Sequence, residues 1–119
     1  MKKILFPSCL ILLFACSNND DLSVKTEKLA GSEVKSTFKV WGNCDMCQET
    51  IEGSLKTDGI STAHWNSETK QIEVHYDTTK ISLDQVEQKI AAAGYDNVKY
   101  KGDDNAYSAL PECCHYERK

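Results

Sequence analysis

Cys44 and Cys47 form a Cys-X-X-Cys pair inside the run Trp41, Gly42, Asn43, Cys44, Asp45, Met46, Cys47. A strand pattern ends just before the pair and a helix pattern begins at it. Cys44 is therefore expected in the connecting loop and Cys47 in the first helical turn, where both sulfurs can converge on one point. Partial positive charge at a helix start favours thiolate over thiol, and the thiolate is the form that holds metal. Two thiolates make a soft site of low coordination number, suited to Cu(I) and by the same logic to Hg(II) or Ag(I). Asp45 beside Cys44 would suit a harder ion such as Zn(II), although the helix dipole alone accounts for an acidic residue there. Cys-X-X-Cys at a helix start also serves thiol redox proteins. The element order below differs from theirs, and no proline follows the motif until Pro111, so metal binding ranks ahead of a redox couple or a structural disulfide.

A second soft cluster, Cys113, Cys114 and His115, stands near the end of the chain. Three arrangements are open to it. The segment could fold over the domain and bring Cys113 or Cys114 to the first pair; it could bind an ion alone; or it could form disulfides in an oxidising compartment. A bond between adjacent cysteines closes a strained ring and is the least favoured. Pro111 favours a fixed turn that presents the cysteines, since proline cannot continue a helix. Met46, between the first two cysteines, has a thioether that suits either packing or a soft ion, and packing is the favoured reading. His64 and His75 fall on neighbouring strands and read as solvated positions.

The elements that must position these groups alternate in type. Residues 36–41 read as a strand, with Phe38 and Val40 on one face. Residues 44–55 read as a helix with Cys47, Ile51 and Leu55 at spacings of four, and Gly59 as a break beyond it. Residues 60–66 form a second strand in which Ala63 and Trp65 fall opposite Ile60, the signature of a bulge. Residues 71–76 alternate cleanly, with Ile72, Val74 and Tyr76 on one side. Ser82 caps a helix through Ala93 with Leu83, Val86 and Ile90 buried and Gly94 as the stop. Val98 and Tyr100 supply a short last strand. The result is an α+β, ferredoxin-like βαββαβ order: a four-stranded antiparallel sheet carrying two helices on one face.

These residues resemble the heavy-metal-associated domain family of copper chaperones, mercury-binding periplasmic proteins and the N-terminal modules of metal-pumping ATPases. The resemblance spans residues 34–102. It rests on Cys-X-X-Cys after the first strand, Ile51 and Glu52 on the following helix, and Ala93, Gly94, Tyr95 after the second. It implies that Tyr95 lies near the metal loop and shields it. Trp41, Gly42 and Asn43 stand where that family usually has Gly-Met-Thr or similar, so the methionine that braces the loop is missing.

The chain of 119 residues leaves no room for a large enzyme core. Nothing in it resembles a nucleophile with its base, a phosphate loop or a paired-carboxylate centre, and no enzyme activity is expected. Residues 1–15 begin Met1, Lys2, Lys3 and continue in a short apolar run, which reads as a secretory signal. The sequence Leu13, Phe14, Ala15, Cys16 resembles a bacterial lipobox, implying lipid on Cys16. The acidic residues that follow loosely resemble a surface-export signal. Removing Lys2 and Lys3 leaves 12 of the 14 basic residues against 18 acidic ones, a net of −6, which argues against nucleic acid.

Residues 16–33 have a polar composition that reads as a flexible tether, residues 34–102 as the domain, and residues 103–119 as a Cys-Cys-His tail. Tyr107, Leu110 and Tyr116 are wasted in solvent, so the tail is expected to pack back. The expectation is a metal chaperone or scavenger lipid-anchored in the cell envelope, on the periplasmic side or the outer-membrane surface. Its partner would be a metal-transporting ATPase, an efflux component or another metal-handling protein, and a metal-bridged dimer is possible. The rivals are a thiol–disulfide redox protein or sensor using the same cysteines, and an interaction module that binds no metal.

Overall fold

The computed structural model describes residues 22–119; the signal segment and Cys16 lie outside the described residues. Strands β1 (Lys25–Ala30), β2 (Glu33–Lys39), β3 (Ile60–Trp65) and β4 (Gln71–Asp77) form one antiparallel sheet in the order β1-β2-β4-β3. Helix α1 (Asp45–Ser54) connects β2 to β3 and helix α2 (Leu83–Ala92) follows β4. Their apolar stripes share one core with Phe38, Val40, Trp65, Ile72 and Val74 from the sheet. The four-stranded antiparallel sheet with two helices is the ferredoxin-like architecture the periodicity predicts, although one strand comes from a different part of the chain.

The local causes are those in the sequence. Ile72, Val74 and Tyr76 alternate inward on β4, and Cys47, Ile51 and Leu55 line the buried stripe of α1. Helix α2 opens with a capping box: Ser82 Oγ accepts from the Gln85 amide at 3.2 Å while Gln85 Oε1 accepts from the Ser82 amide at 3.0 Å. The expected bulge in β3 is present between Ile60 and Thr62, and beyond it Trp65 turns fully inward.

The fourth strand comes from the other end of the chain. Val98 and Tyr100 form no strand, because Asn97 Oδ1 accepts from the Lys99 and Tyr100 amides, each at 3.1 Å, and curls the backbone into an Asx turn. A single bridge, Val40 to Asn97, remains of the expected pairing. The vacant edge of β2 is taken by β1, which falls within the residues expected to be a tether. All six β1 residues are exposed, so no apolar alternation marks the strand. Its backbone ladder to β2 holds it, helped by a hydroxyl chain from Thr26 through buried Ser36 to Tyr76, at 2.8 and 2.9 Å.

After the Asn97 turn the chain passes Gly102, enters helix α3 (Asp104–Ala109), and ends in a 3-10 turn, Glu112–Cys114. Asp103 caps α3 by accepting from the Ala106 amide at 2.8 Å. The close approach of two backbones requires glycine at 102, where a Cβ would lie 2.6 Å from the Gly94 carbonyl carbon and 2.7 Å from the Tyr95 nitrogen. Backbone on both sides cannot give way cheaply. Gly102→Ala is therefore expected to destabilise the protein by about 1–3 kcal/mol, read as a lower urea midpoint at unchanged slope.

Candidate metal centre

The loop after β2 is fixed on three sides. The Val40 amide donates to Lys70 O and the Trp41 amide to Asp96 O, both at 2.9 Å, and the Trp65 indole N–H donates to Val40 O at 3.0 Å. The Trp65 ring lies over Gly42 so closely that a Cβ there would sit 2.9 Å from two ring carbons. Trp65 thus takes the bracing role that the missing loop methionine would otherwise have. Cys44 then occupies the N-cap of α1 in extended conformation, with no side-chain cap bond, which leaves its sulfur uncommitted to the helix. Cys47, one turn in, is fully buried and accepts from the Asn43 amide at 3.4 Å.

The tail delivers a third thiol. The sulfurs of Cys44, Cys47 and Cys114 all lie within 4.8 Å of one another, and all are free thiols. Of the arrangements open to the second cluster, the structure adopts the one in which the tail folds over the Cys-X-X-Cys pair. Pro111 leads into the 3-10 turn as expected, and its carbonyl accepts from the Cys114 amide at 2.8 Å. The Cys113 carbonyl accepts from Asn43 Nδ2 at 3.4 Å and from the Cys44 thiol at 3.6 Å, which ties the turn to the metal loop.

Residues beyond Cys114 act as the clasp. Tyr116 is buried, stacks on Tyr95 with ring centroids 5.5 Å apart, accepts from the Asp96 amide at 2.8 Å and donates to Gly94 O at 2.7 Å. Asp96 is buried and accepts from Arg118 Nη2 at 2.8 Å, from the Gly102 amide at 2.7 Å and from the Lys119 amide at 2.9 Å. Arg118 also bonds Gly102 O and Asp104. One carboxylate therefore joins the loop after α2, the Gly102 segment and the chain end. Sequence reasoning anticipated Tyr116 as a packing residue. It missed Asp96 and Arg118, because an acid and a base 22 positions apart carry no local pattern.

The thiols differ electrostatically. Burial pushes the Cys47 thiol up, but backbone hydrogen bonds from Cys44 and Asn43, with Cys114 and Tyr95 beside it, outweigh burial and hold it below the usual cysteine value. Cys114 is pushed up to about 12, first by burial and then by neighbouring Cys47. Of these two thiols Cys47 is the easier to ionise and Cys114 the harder, so an ion held between them would have to displace the Cys114 proton. The Tyr95 hydroxyl is fully buried with no hydrogen-bond partner, and burial and the nearby Cys47 and Cys114 sulfurs push its ionisation far upward. It remains a neutral phenol beside the thiols.

Two expected ligands are not in the cluster. Cys113 is exposed and its sulfur lies outside the trio. His115 stacks on Tyr107 at 5.1 Å between ring centroids and is not a member of the cluster. Both are exposed, because within the turn Cys113 and Cys114 point in different directions and His115 follows it. Asp45 is exposed and is no member either. Met46 is 48 % exposed, so it does not supply the packing assigned to it; as the second residue of α1 it points outward.

Together these features define a ferredoxin-like domain with a thiol cluster at a strand-to-helix junction. The family description "heavy-metal-associated domain" matches residues 37–96, and the chain belongs to that family. It is similar to the copper chaperone CopZ of Staphylococcus aureus strain MRSA252, 35 % identical over 57 residues that cover 47 % of this chain and 84 % of the chaperone. Among solved structures it resembles a CopZ metallochaperone, with a TM-score of 0.51 and 32 % identity over 53 % of this chain and 97 % of that one. It also resembles the N-terminal domain of a potential copper-translocating P-type ATPase from Bacillus subtilis in the Cu(I)-loaded state. There the TM-score is 0.50, with 26 % identity over 53 % of this chain and 81 % of that one. The family match ends at residue 96, so the third thiol comes from chain beyond it.

Proposed function

We propose that this domain binds one Cu(I) ion through Cys44, Cys47 and Cys114 and transfers it by thiolate exchange to another metal-handling protein. The observation that carries this reading is the convergence of three free sulfurs within 4.8 Å of one another. With metal–thiolate bonds of about 2.3 Å, the sulfurs of a three-coordinate ion lie about 4 Å apart, so the cluster needs only small side-chain rotations to close on an ion. An all-sulfur donor set favours Cu(I) over ions that prefer nitrogen or oxygen. The likeness to chaperones and to an ATPase module supports transfer, with a metal-transporting ATPase or efflux component as receiver. Cys44, half-buried on the loop, is the ligand an incoming thiolate would replace first. The signal and lipobox resemblance supports a lipid-anchored position in the cell envelope.

The test is anaerobic titration of the reduced protein against a competing Cu(I) chelator. Cys44→Ser with Cys47→Ser should abolish the binding of one ion that survives a high chelator concentration. Cys114→Ser should keep one ion but weaken it by about tenfold or more. Binding unaffected by the double substitution would reject the reading, and turnover of a dithiol substrate without metal would favour the redox alternative.

A further inference from the structure

Two sulfur atoms remain outside the trio, and they touch each other. The Cys113 thiol donates to Met46 Sδ at 3.3 Å, and Cys113 Sγ is 4.0 Å from Cys114 Sγ. Met46 and Cys113 come from elements 67 residues apart, yet both are exposed. A large apolar side chain half in water at the start of a helix gains little from burial, so packing does not account for its position. The thioether and the thiol instead stand in contact beside Cys114, on the exposed side of the trio.

We propose that Met46, Cys113 and Cys114 form a second, outer station for a soft monovalent cation, Cu(I) or Ag(I), with the Cys114 thiolate shared between the two stations. The inference rests on the reading of the trio as a Cu(I) site and extends it. Cys113 and Cys114 already stand at the roughly 4 Å separation of two sulfurs on one three-coordinate ion. Met46 and Cys113 need to part by less than about 1 Å, which an unbranched exposed methionine allows. A neutral thioether beside thiolates selects soft monovalent ions and offers little to Zn(II). On binding, Cys113 gives its proton to water and becomes a thiolate. One side chain of the trio, Cys114, thus lies on both spheres, and its sulfur has lone pairs for two ions. The outer station is the weaker, because one of its ligands is uncharged and two of them, Met46 and Cys113, are exposed.

The test counts ions per monomer by native mass spectrometry on the full reduced chain, loaded anaerobically with Cu(I) at rising concentrations of a competing chelator. The wild-type chain should hold two ions at low competitor and one at high competitor. Cys113→Ser and Met46→Leu should each hold one throughout, with unchanged circular dichroism, since both side chains are exposed. A wild-type chain that never exceeds one ion, lost with Cys44 and Cys47, overturns the outer station and leaves the inner site standing. Either exposed variant still taking two ions overturns it equally. A wild-type chain that takes none overturns both stations.

Discussion

Trp65→Ala should cost about 3–5 kcal/mol of folding free energy and weaken Cu(I) binding at the same time. The indole is fully buried and is the largest side chain in the core. Its removal leaves a void between sheet and metal loop that closely packed neighbours fill only in part. It also orphans the Val40 carbonyl, which accepts the indole N–H at 3.0 Å, and unsatisfied buried acceptors carry their own penalty. Domains of this size have roughly 5–15 kcal/mol in total, so the variant should unfold at a much lower temperature. The link to metal is Gly42, which the ring presses into place. With that contact gone, Asn43 no longer fixes its amide on the Cys47 sulfur. A urea midpoint and a chelator competition on the same sample test both effects. Loss of stability with unchanged affinity would show that the loop holds its shape without the ring.

The second large effect concerns the clasp. Arg118→Met should release the tail, because Asp96 is fully buried and loses its guanidinium partner. Leaving a buried carboxylate unpaired costs about 3–5 kcal/mol, and the cheapest relief is undocking of residues 103–119 while the sheet stays folded. Cys114, buried in the intact protein, should then react with a maleimide many times faster, and the third thiol should be lost from the site. Burial pushes the Asp96 carboxyl up, yet Arg118 and the Gly102 and Lys119 amides outweigh it and hold the group below the ordinary carboxylate range. A group whose folded value lies below its unfolded value of about 3.9 stabilises fully above that pH. Its contribution fades as pH falls through the lower folded value. Docking of the tail should therefore loosen in acid below about pH 4 in the native protein, and Asp96→Asn should remove that step. Equal labelling rates of Cys114 in native and Arg118→Met protein would exclude the clasp.

These two cases show where the sequence was readable. The core was legible because periodicity exposes it. Ile72, Val74 and Tyr76 alternate, Cys47, Ile51 and Leu55 recur every fourth residue, and even the bulge that turns Trp65 inward follows from one out-of-phase pair. Strand β1 was not legible, because an edge strand buries no side chain here and needs only a backbone ladder to one neighbour. Its Lys, Thr and Glu residues read as solvated chain. Val98 and Tyr100 had the right types for a strand, but the Asn97 side-chain oxygen captured the Lys99 and Tyr100 amides first. At the site, the Cys-X-X-Cys pair and Tyr95 could be found from motif and resemblance. The choice of Cys114 over Cys113 and His115 could not, since it depends on the rotation of a single 3-10 turn and on the Asp96 clasp behind it.

The direction of β1 has a bearing on delivery. Lys25 lies opposite Thr37 and Ala30 opposite Glu33, so the strand starts at the end of the sheet that bears the cysteines and finishes at the far end. The strand therefore enters the sheet on the side of the thiol cluster. A lipid on Cys16, nine residues before Lys25, would stand at most about 30 Å away along a stretched backbone. A lipid there, as proposed, would tie the chain to a membrane on the same side of the sheet as the thiol cluster.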